Sequence, residues 1–553
     1  MGKFIIYQVL PRLFGNTTSE CVPGGTIDIN GCGKFSDFDD CMLESIKELG
    51  CTYVWFTGII EHSTKTDYSS YGIFKDYNQL VKGEAGSPYA IKDYYDVDPD
   101  LAGNVYNRFN EFKELIDRVH NAGMKVLIDF VPNHVARVYI SDSKPDHIHD
   151  FGSADNPCYS FHPMNNFYYI QNESFKSPIS SSYPSEIYYE FPAKVSGNDC
   201  FRSDPTINDW FETVKLNYGV DYKSGGICYF DPVPDTWNKM DDILNFWLMT
   251  GIDGFRCDMA EMVPIQFWHK AIPKAKQKFP ESIFIAEVYN PLKYSDYLEF
   301  GSFDYLYDKV GLYDTLKMIT LGKKSAEDIT KCWQSLGSIQ PRMLNFIENH
   351  DEVRAASDFY ACDPFSAIPA LTISLMLNQS PFMIYFAQEL GERGMDTEGF
   401  SSLDGKTSIY DYWALSSIKT WRSSKEEPDI RKIYRKLMSI ATLEKAVSEG
   451  KNYDLQYVNP ESDYYNPKLH YSFLRSFHNE IILIVANFSN LDSLIKINIP
   501  KHAFEYFGID RTITTTGFDL IDEVKVEEPL STEIPYSLFV KKKWIRIIKF
   551  LLQ

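Results

Sequence analysis

The feature that most constrains this chain is a repeated alternation. Short, near-continuously apolar runs that read as strands are separated by longer amphipathic runs that read as helices. Strand-like runs fall at residues 4–10, 53–57, 125–131, 254–259, 283–288, 303–307, 343–348 and 382–387; helical periods include 37–49, 108–122 and 237–249. Strands apolar on both sides must be covered on both sides, which is the condition of a parallel sheet wrapped in helices. Eight such units suit a closed (β/α)8 barrel of TIM type better than an open doubly wound sheet, so the fold class expected is α/β. No glycine-rich phosphate fingerprint follows any strand, which weakens a nucleotide-binding reading.

The alternation breaks twice. Between residues 133 and 235 the chain is rich in Ser, Asn, Asp, Pro and Tyr and has no helical period. That stretch is too long for a structureless loop and predicts an inserted domain after the third strand. From about Lys451 short strand-like runs at 469–474, 481–487 and 494–499 predict a C-terminal antiparallel β-sandwich domain. The expected division is 1–132 with 236–447 for the catalytic barrel, 133–235 for the inserted domain, and 448–553 for the β domain. The last residues mix Lys541, Lys542, Lys543 and Arg546 with Trp544, Ile545, Ile547, Ile548, Phe550, Leu551 and Leu552. They are expected to form a frayed or partner-packed tail rather than a membrane-surface helix.

Charge narrows the partners. A formal net charge of −21 over 553 residues disfavours nucleic acid and anionic membranes, both of which need cationic surface. No run approaches the ~18 uninterrupted apolar residues of a membrane span. The ten cysteines contain no CxxC pair and read as reduced core thiols. The N-terminus enters a strand-like run at once, without the apolar segment and cleavage site of a secretory signal, so a cytoplasmic location is expected.

Three acids stand at predicted strand ends, where barrels of this type carry their chemistry. Asp258 ends Gly254-Phe255-Arg256-Cys257-Asp258, Glu287 ends Phe284-Ile285-Ala286-Glu287, and Asp351 ends Phe346-Ile347-Glu348-Asn349-His350-Asp351. Each follows an apolar run and would be desolvated if it faced inward. One such acid is weak evidence; three on different strands converge on one mouth. Glycoside cleavage needs one acid to protonate the leaving oxygen and a carboxylate to attack the anomeric carbon, with their pKa values held apart. Arg256 lies two residues before Asp258, on the same strand face, and is expected to keep it ionised. Glu287 has no adjacent cation in sequence, which suits a proton carrier. His134 and His350 can donate hydrogen bonds to sugar hydroxyls.

These residues carry a resemblance to the α-amylase superfamily, glycoside hydrolase family 13. Asp129-Phe130-Val131-Pro132-Asn133-His134 matches its first conserved region, Gly254 to Asp258 resembles the second, Ala286-Glu287-Val288 the third, and Asn349-His350-Asp351 the fourth. Gln388-Glu389-Leu390-Gly391-Glu392 also looks like the family. The resemblance implies Asp258 as nucleophile, Glu287 as acid/base and Asp351 as transition-state stabiliser. It further implies Arg256, His134 and His350 as sugar ligands and Tyr89 as a stacking ring. The implied substrate is an α-glucan or maltooligosaccharide, cleaved with retention. A 4-α-glucanotransferase or glucoside isomerase would use the same residues. A non-catalytic amylase-like binding subunit would be expected to have lost acids that this chain keeps.

The chain also departs from the pattern. Glu261 and Met262 stand where many α-amylases have a Lys-His pair, and Lys215 aligns with the family's calcium aspartate. An ammonium cannot ligate Ca2+, so no metal and no other cofactor is expected, although Asn133 remains. The run Asp28-Ile29-Asn30-Gly31-Cys32-Gly33 resembles the calcium loop of the oligo-glucosidase branch, but Cys32 and Ser36 replace expected carboxylates and a plain turn is the reading.

Overall fold

The computed structural model describes residues 3–180, 187–401, 403–424, 426–510 and 512–552. The apolar runs become strands β1 (Ile5–Val9), β2 (Tyr53–Phe56), β3 (Lys125–Phe130), β4 (Gly254–Cys257), β5 (Ile283–Ala286), β6 (Tyr305–Tyr307), β7 (Met343–Leu344) and β8 (Phe382–Tyr385). Each pairs in parallel with the next in chain order, and β8 returns to β1 with Phe382 opposite Ile5. A single bridge from Asn345 to Phe382 closes the seam between β7 and β8. All eight strand ends therefore meet at one mouth.

Helices cover the ring because their apolar residues fall on one stripe. In Arg108–Asn121 the buried side chains are Arg108, Phe112, Leu115, Ile116 and Val119, spaced three or four apart. The helix Asp40–Glu48 starts where Asp39 accepts a hydrogen bond from the Met42 N–H at 2.8 Å, satisfying a free helix-end donor. At the start of β4, Gly254 has φ +154°, and a Cβ there would lie 2.1 Å from the Ile283 carbonyl oxygen. Strands β4 and β5 can approach only because this residue has no side chain.

After β3 the chain leaves the barrel. Three short antiparallel pairs follow: His134–Ala136 with Thr213–Lys215, Tyr169–Ile170 with Ala193–Lys194, and Val220–Asp221 with Ile227–Cys228. Tyr168, Ile170, Phe175, Ala193, Val195 and Phe211 bury a small core there with Leu80. The helix Asp235–Met249 returns the chain to the ring.

The C-terminal strands are β9 (Lys451–Asp454), β10 (His470–Phe477), β11 (Glu480–Asn487), β12 (Ser493–Ile497), β13 (Gly517–Asp519), β14 (Val524–Val526), β15 (Tyr536–Val540) and β16 (Trp544–Leu551). A six-stranded sheet runs β9-β10-β11-β16-β13-β14, and β12 pairs with β15 in a second sheet. Along β11, Ile481, Leu483 and Val485 pack with Ile495, Ile497, Leu538 and Val540 between the two sheets. The alternate residues Ile482, Ile484 and Ala486 join the barrel's core. Period-two alternation thus places one sheet between two apolar layers.

Two expectations are corrected here. The C-terminal segment is no frayed or partner-packed tail. β16 lies in the middle of the six-stranded sheet, paired to β11 and β13, with Ile545, Ile547, Ile548 and Phe550 fully buried. Its cations meet acids: Lys549 Nζ is 2.6 Å from Glu444, and Arg546 binds Asp519. Both faces of the strand are covered, so its apolar run lacks the clean alternation of a one-sided strand. The cysteines are all free, but only Cys51 and Cys257 are buried; Cys41, Cys158, Cys228 and Cys362 are exposed. Cysteine is small enough for either place, and composition cannot choose. Among the described residues no helix is long and apolar enough to cross a membrane.

Candidate active site

Arg256, fully buried on β4, gathers the three strand-end acids. Its Nη1 donates to Asp258 Oδ1 at 2.7 Å. Its Nη2 lies 2.9 Å from Glu287 Oε2 and 3.9 Å from Asp351 Oδ2. The Nη2–Glu287 contact is out of line for a hydrogen bond, so it acts as a close ion pair. Nε donates to the Tyr307 hydroxyl of β6 at 3.1 Å. The expectation that Glu287 lacks a nearby cation holds in sequence only: β4 and β5 are paired neighbours, with Arg256 opposite Ile285, and the guanidinium reaches across.

Backbone geometry fixes Glu287 further. Met259, the residue after Asp258, adopts φ +42°, a left-handed conformation that costs a non-glycine residue about 1 kcal/mol or more. That turn aims its N–H at Glu287 Oε2, 2.8 Å away. The Tyr289 hydroxyl donates to the other oxygen, Oε1. Asp258 and Glu287 thus sit side by side, each oriented by fixed donors.

The remaining expected residues surround this pair. His350 receives Gln8 Nε2 on Nδ1 at 2.7 Å, leaving Nε2 to face Asp351 Oδ2 at 3.0 Å and the Tyr89 hydroxyl at 2.5 Å. Tyr89 stacks on the His350 ring with centroids 5.4 Å apart and lines the cleft. His134 lines the same cleft beside Trp210, ring centroids 5.1 Å apart. All seven expected residues therefore belong to one site: Arg256 and His350 lie behind the acids, and Asp258, Glu287, Asp351, Tyr89 and His134 line a cleft of about 310 Å³.

The electrostatics are those of a crowded set. Burial raises the Asp258 carboxyl well above its ordinary range; Arg256 opposes this, while Glu287 and Asp129 add to it. Arg256 is therefore one force in a balance and does not by itself keep Asp258 ionised, which corrects the sequence reading. For Asp351 desolvation also pushes upward, but His350 and Arg256 outweigh it and hold the carboxyl below its usual range. Four acids, Asp129 included, share one guanidinium. Burial raises Asp129 as it does Asp258, and repulsion from Glu287 adds to both. Burial, with Lys215 and Lys82, lowers the His134 pKa to about 3, so this imidazole is neutral at working pH.

Sequence reasoning missed several members of the site. Asp129, inside the first motif, accepts from Trp55 Nε1 at 3.0 Å and from Arg256 at 3.3 Å. Its strand-end position was the available signal. Tyr289 is two residues beyond Glu287 on the same side. Lys82 and Glu212, paired at 2.9 Å, and Tyr410 also line the cleft. They come from loops remote in sequence, and no local pattern marks them.

The family's calcium place does not fit a divalent cation here. Lys215 Nζ, buried, is 2.7 Å from Asn133 Oδ1 and 2.7 Å from Asp199 Oδ1. The ammonium stands where the ion would need to bind, and like charges exclude one another. The 28–33 segment is a helical turn, Ile27–Asn30, ended by Gly31 at φ +72°. Asn30 is buried there and committed to Val22 and the Tyr412 carbonyl.

A parallel eight-stranded barrel whose mouth gathers acids from separate strands around one cation has the build of a glycoside hydrolase acting on O-glycosyl bonds. A family model described as alpha amylase, catalytic domain, matches residues 8–440. The chain belongs to the α-amylase family. Alpha-amylase 3 of Dictyoglomus thermophilum is 23% identical over 470 residues, covering 81% of this chain and 78% of its own length. A cyclomaltodextrinase of a Bacillus species is 21% identical over 497 residues, covering 87% of this chain and 72% of its own. The structure of a maltogenic α-amylase, AmyB of Thermotoga neapolitana, superposes with a TM-score of 0.64 at 20% identity, covering 100% of this chain and 99% of that one. This last likeness speaks to the fold alone.

Proposed function

We propose that this protein hydrolyses α-glucosidic bonds of maltooligosaccharides or related α-glucans with retention, through a covalent glycosyl-enzyme on Asp258. One observation carries the reading: Asp258 and Glu287, from adjacent strands, both contact Arg256, at 2.7 and 2.9 Å, and both line the cleft. Two carboxyl groups beside one sugar are what a double displacement needs.

In the proposed cycle the reacting sugar lies against Tyr89, with His134 directed at its hydroxyls and His350 holding Asp351 and Tyr89 from behind. With Asp258 in its ionised form, Glu287 gives its proton to the glycosidic oxygen as the Asp258 carboxylate attacks the anomeric carbon, and the leaving sugar departs as an alcohol. Asp351, ionised beside His350, stabilises the positive charge that develops on the ring. Glu287, now a carboxylate, takes a proton from water, whose oxygen displaces Asp258 and restores both groups. Ten free cysteines support a reducing, intracellular setting for this activity.

The test is a product profile on α-1,4- and α-1,6-linked oligosaccharides. Glucose and maltose from maltotriose, with initial retention of configuration, support hydrolysis as proposed. Longer oligomers would assign the same residues to glycosyl transfer. Sugar binding without turnover would make the barrel a binding subunit.

A further inference from the structure

Apart from the catalytic cleft and from the Asn133–Lys215 contact, a second group of acids converges where the barrel meets the inserted segment. Glu61 lies on strand Ile60–His62, directly opposite Asp93 on strand Ile91–Val97, with register irregularities on both sides of it. Asp142 lies in the segment that follows strand His134–Ala136. One carboxylate oxygen from each of Glu61, Asp93 and Asp142 falls within 4.8 Å of the others.

Glu61 is the telling residue. It is 1% exposed, and neither of its carboxylate oxygens has a hydrogen-bond partner among the described residues. An unpaired buried carboxylate is among the costliest groups a fold can carry. The local cations do not resolve it. Arg108 Nη2 binds Asp96 at 2.7 Å and stands 3.6 Å from Asp142 and 3.9 Å from Glu61. Lys92 is committed to Asp76 at 2.8 Å and to the Phe74 carbonyl. Three carboxylates thus share one guanidinium.

We propose that Glu61, Asp93 and Asp142 bind a divalent, calcium-like cation that clamps the 60–97 hairpin to the inserted segment. The donor set is all oxygen and mostly carboxylate, which suits a hard ion of flexible coordination. Oxygens about 2.3–2.6 Å from such an ion stand up to about 5 Å apart, as these do. Asp93 is already held in place: it accepts from Tyr95 N and Ser141 Oγ on one oxygen and from the Asp142 and Ser143 N–H groups on the other. Asp142 is 30% exposed in its side chain and opens the site to solvent. The hairpin also carries Tyr94, whose hydroxyl binds the Val131 carbonyl at the end of β3. A cation here would stiffen the wall that presents Tyr89 and His134.

Calorimetric titration of CaCl2 into the full chain, stripped of metal with EDTA and dialysed, tests this. One saturable site per chain is expected, with a Tm increase of about 2–5 °C at saturation. Glu61→Gln and Asp142→Asn should each weaken binding at least about tenfold and abolish the Tm response. Metal-free Glu61→Gln should melt no lower than the metal-free parent, because neither Glu61 oxygen has a hydrogen bond to lose; Asp142→Asn, nearer solvent, guards against a folding defect. No heat and no Tm change up to about 10 mM Ca2+, or undiminished binding in both variants, would overturn the proposal.

Discussion

The flat guanidinium of Arg256 lets acids from three strands occupy one pocket. Each acid then has a separable role. Glu287→Gln is expected to lower kcat/KM on maltooligosaccharides by about 10²–10⁴-fold. It should lose far less on aryl α-glucosides, whose leaving groups need no proton; equal losses on both would remove Glu287 as the acid. Asp258→Asn should end turnover on both substrates, yet stabilise the folded chain. The sign follows from linkage. The folded pKa of Asp258 is raised by burial, so above the unfolded value of about 3.9 the unfolded chain releases a proton that the folded chain retains. Stability then falls as pH rises through this window, and Asn removes the effect. A gain of about 0.5–2 kcal/mol at pH 7, shrinking toward pH 4, is expected in denaturant unfolding; a loss at pH 7 would contradict the crowded-acid account. The acids, histidines and Tyr89 were legible because each sits in a short motif. Asp129 and Tyr289 were in view but unweighted, since their importance lies in what they touch.

At the scale of elements, the strands at the mouth and at the C-terminus depend on different physics. Gly254 is required by close approach: Gly254→Ala places a Cβ 2.1 Å from the Ile283 carbonyl oxygen. It is expected to cost about 3 kcal/mol or more and to reduce activity by displacing Arg256 and Asp258. Chemical unfolding with a parallel rate measurement checks this, and an unchanged midpoint would refute it. β16 is held by burial instead. Deleting residues 544–553 removes the four fully buried side chains of Ile545, Ile547, Ile548 and Phe550, each worth about 1.5–3 kcal/mol. The truncated chain is expected to be insoluble or to lose amide-exchange protection throughout β11, whereas a dispensable tail would leave that protection intact. The sequence suggested a tail because β16 is basic and apolar at once, and strand neighbours are invisible to a local window. The barrel strands were easier to recognise: both sides are apolar, and glycines and helices punctuate them.

At the scale of the whole molecule, the inserted segment must be fastened to the barrel, since it supplies His134, Trp210 and Glu212 to the cleft. Lys215 is one fastening, reaching Asn133 at the end of β3 and Asp199 in the insert. Lys215→Met keeps most of the side-chain volume and removes both contacts. A loss of about 1–3 kcal/mol is expected, less than for a fully buried ion pair because Asp199 is 42% exposed and can turn to water. A raised KM should accompany it as His134 loses its support; a melting curve and KM both equal to the parent's would show the contact to be idle. By itself the sequence determined the alternating strands and helices, the barrel they close, and the acids at the strand ends, because burial on both sides of a strand and short motifs are local properties. By resemblance the sequence also put Lys215 in the family's calcium place. Tertiary structure alone decided that one guanidinium serves Asp258 and Glu287 together, that Lys215 there reaches both Asn133 and Asp199, and that the last strand is central. Those outcomes depend on distances between segments far apart in the chain, and electrostatic and packing energies are set by those distances rather than by order along the sequence.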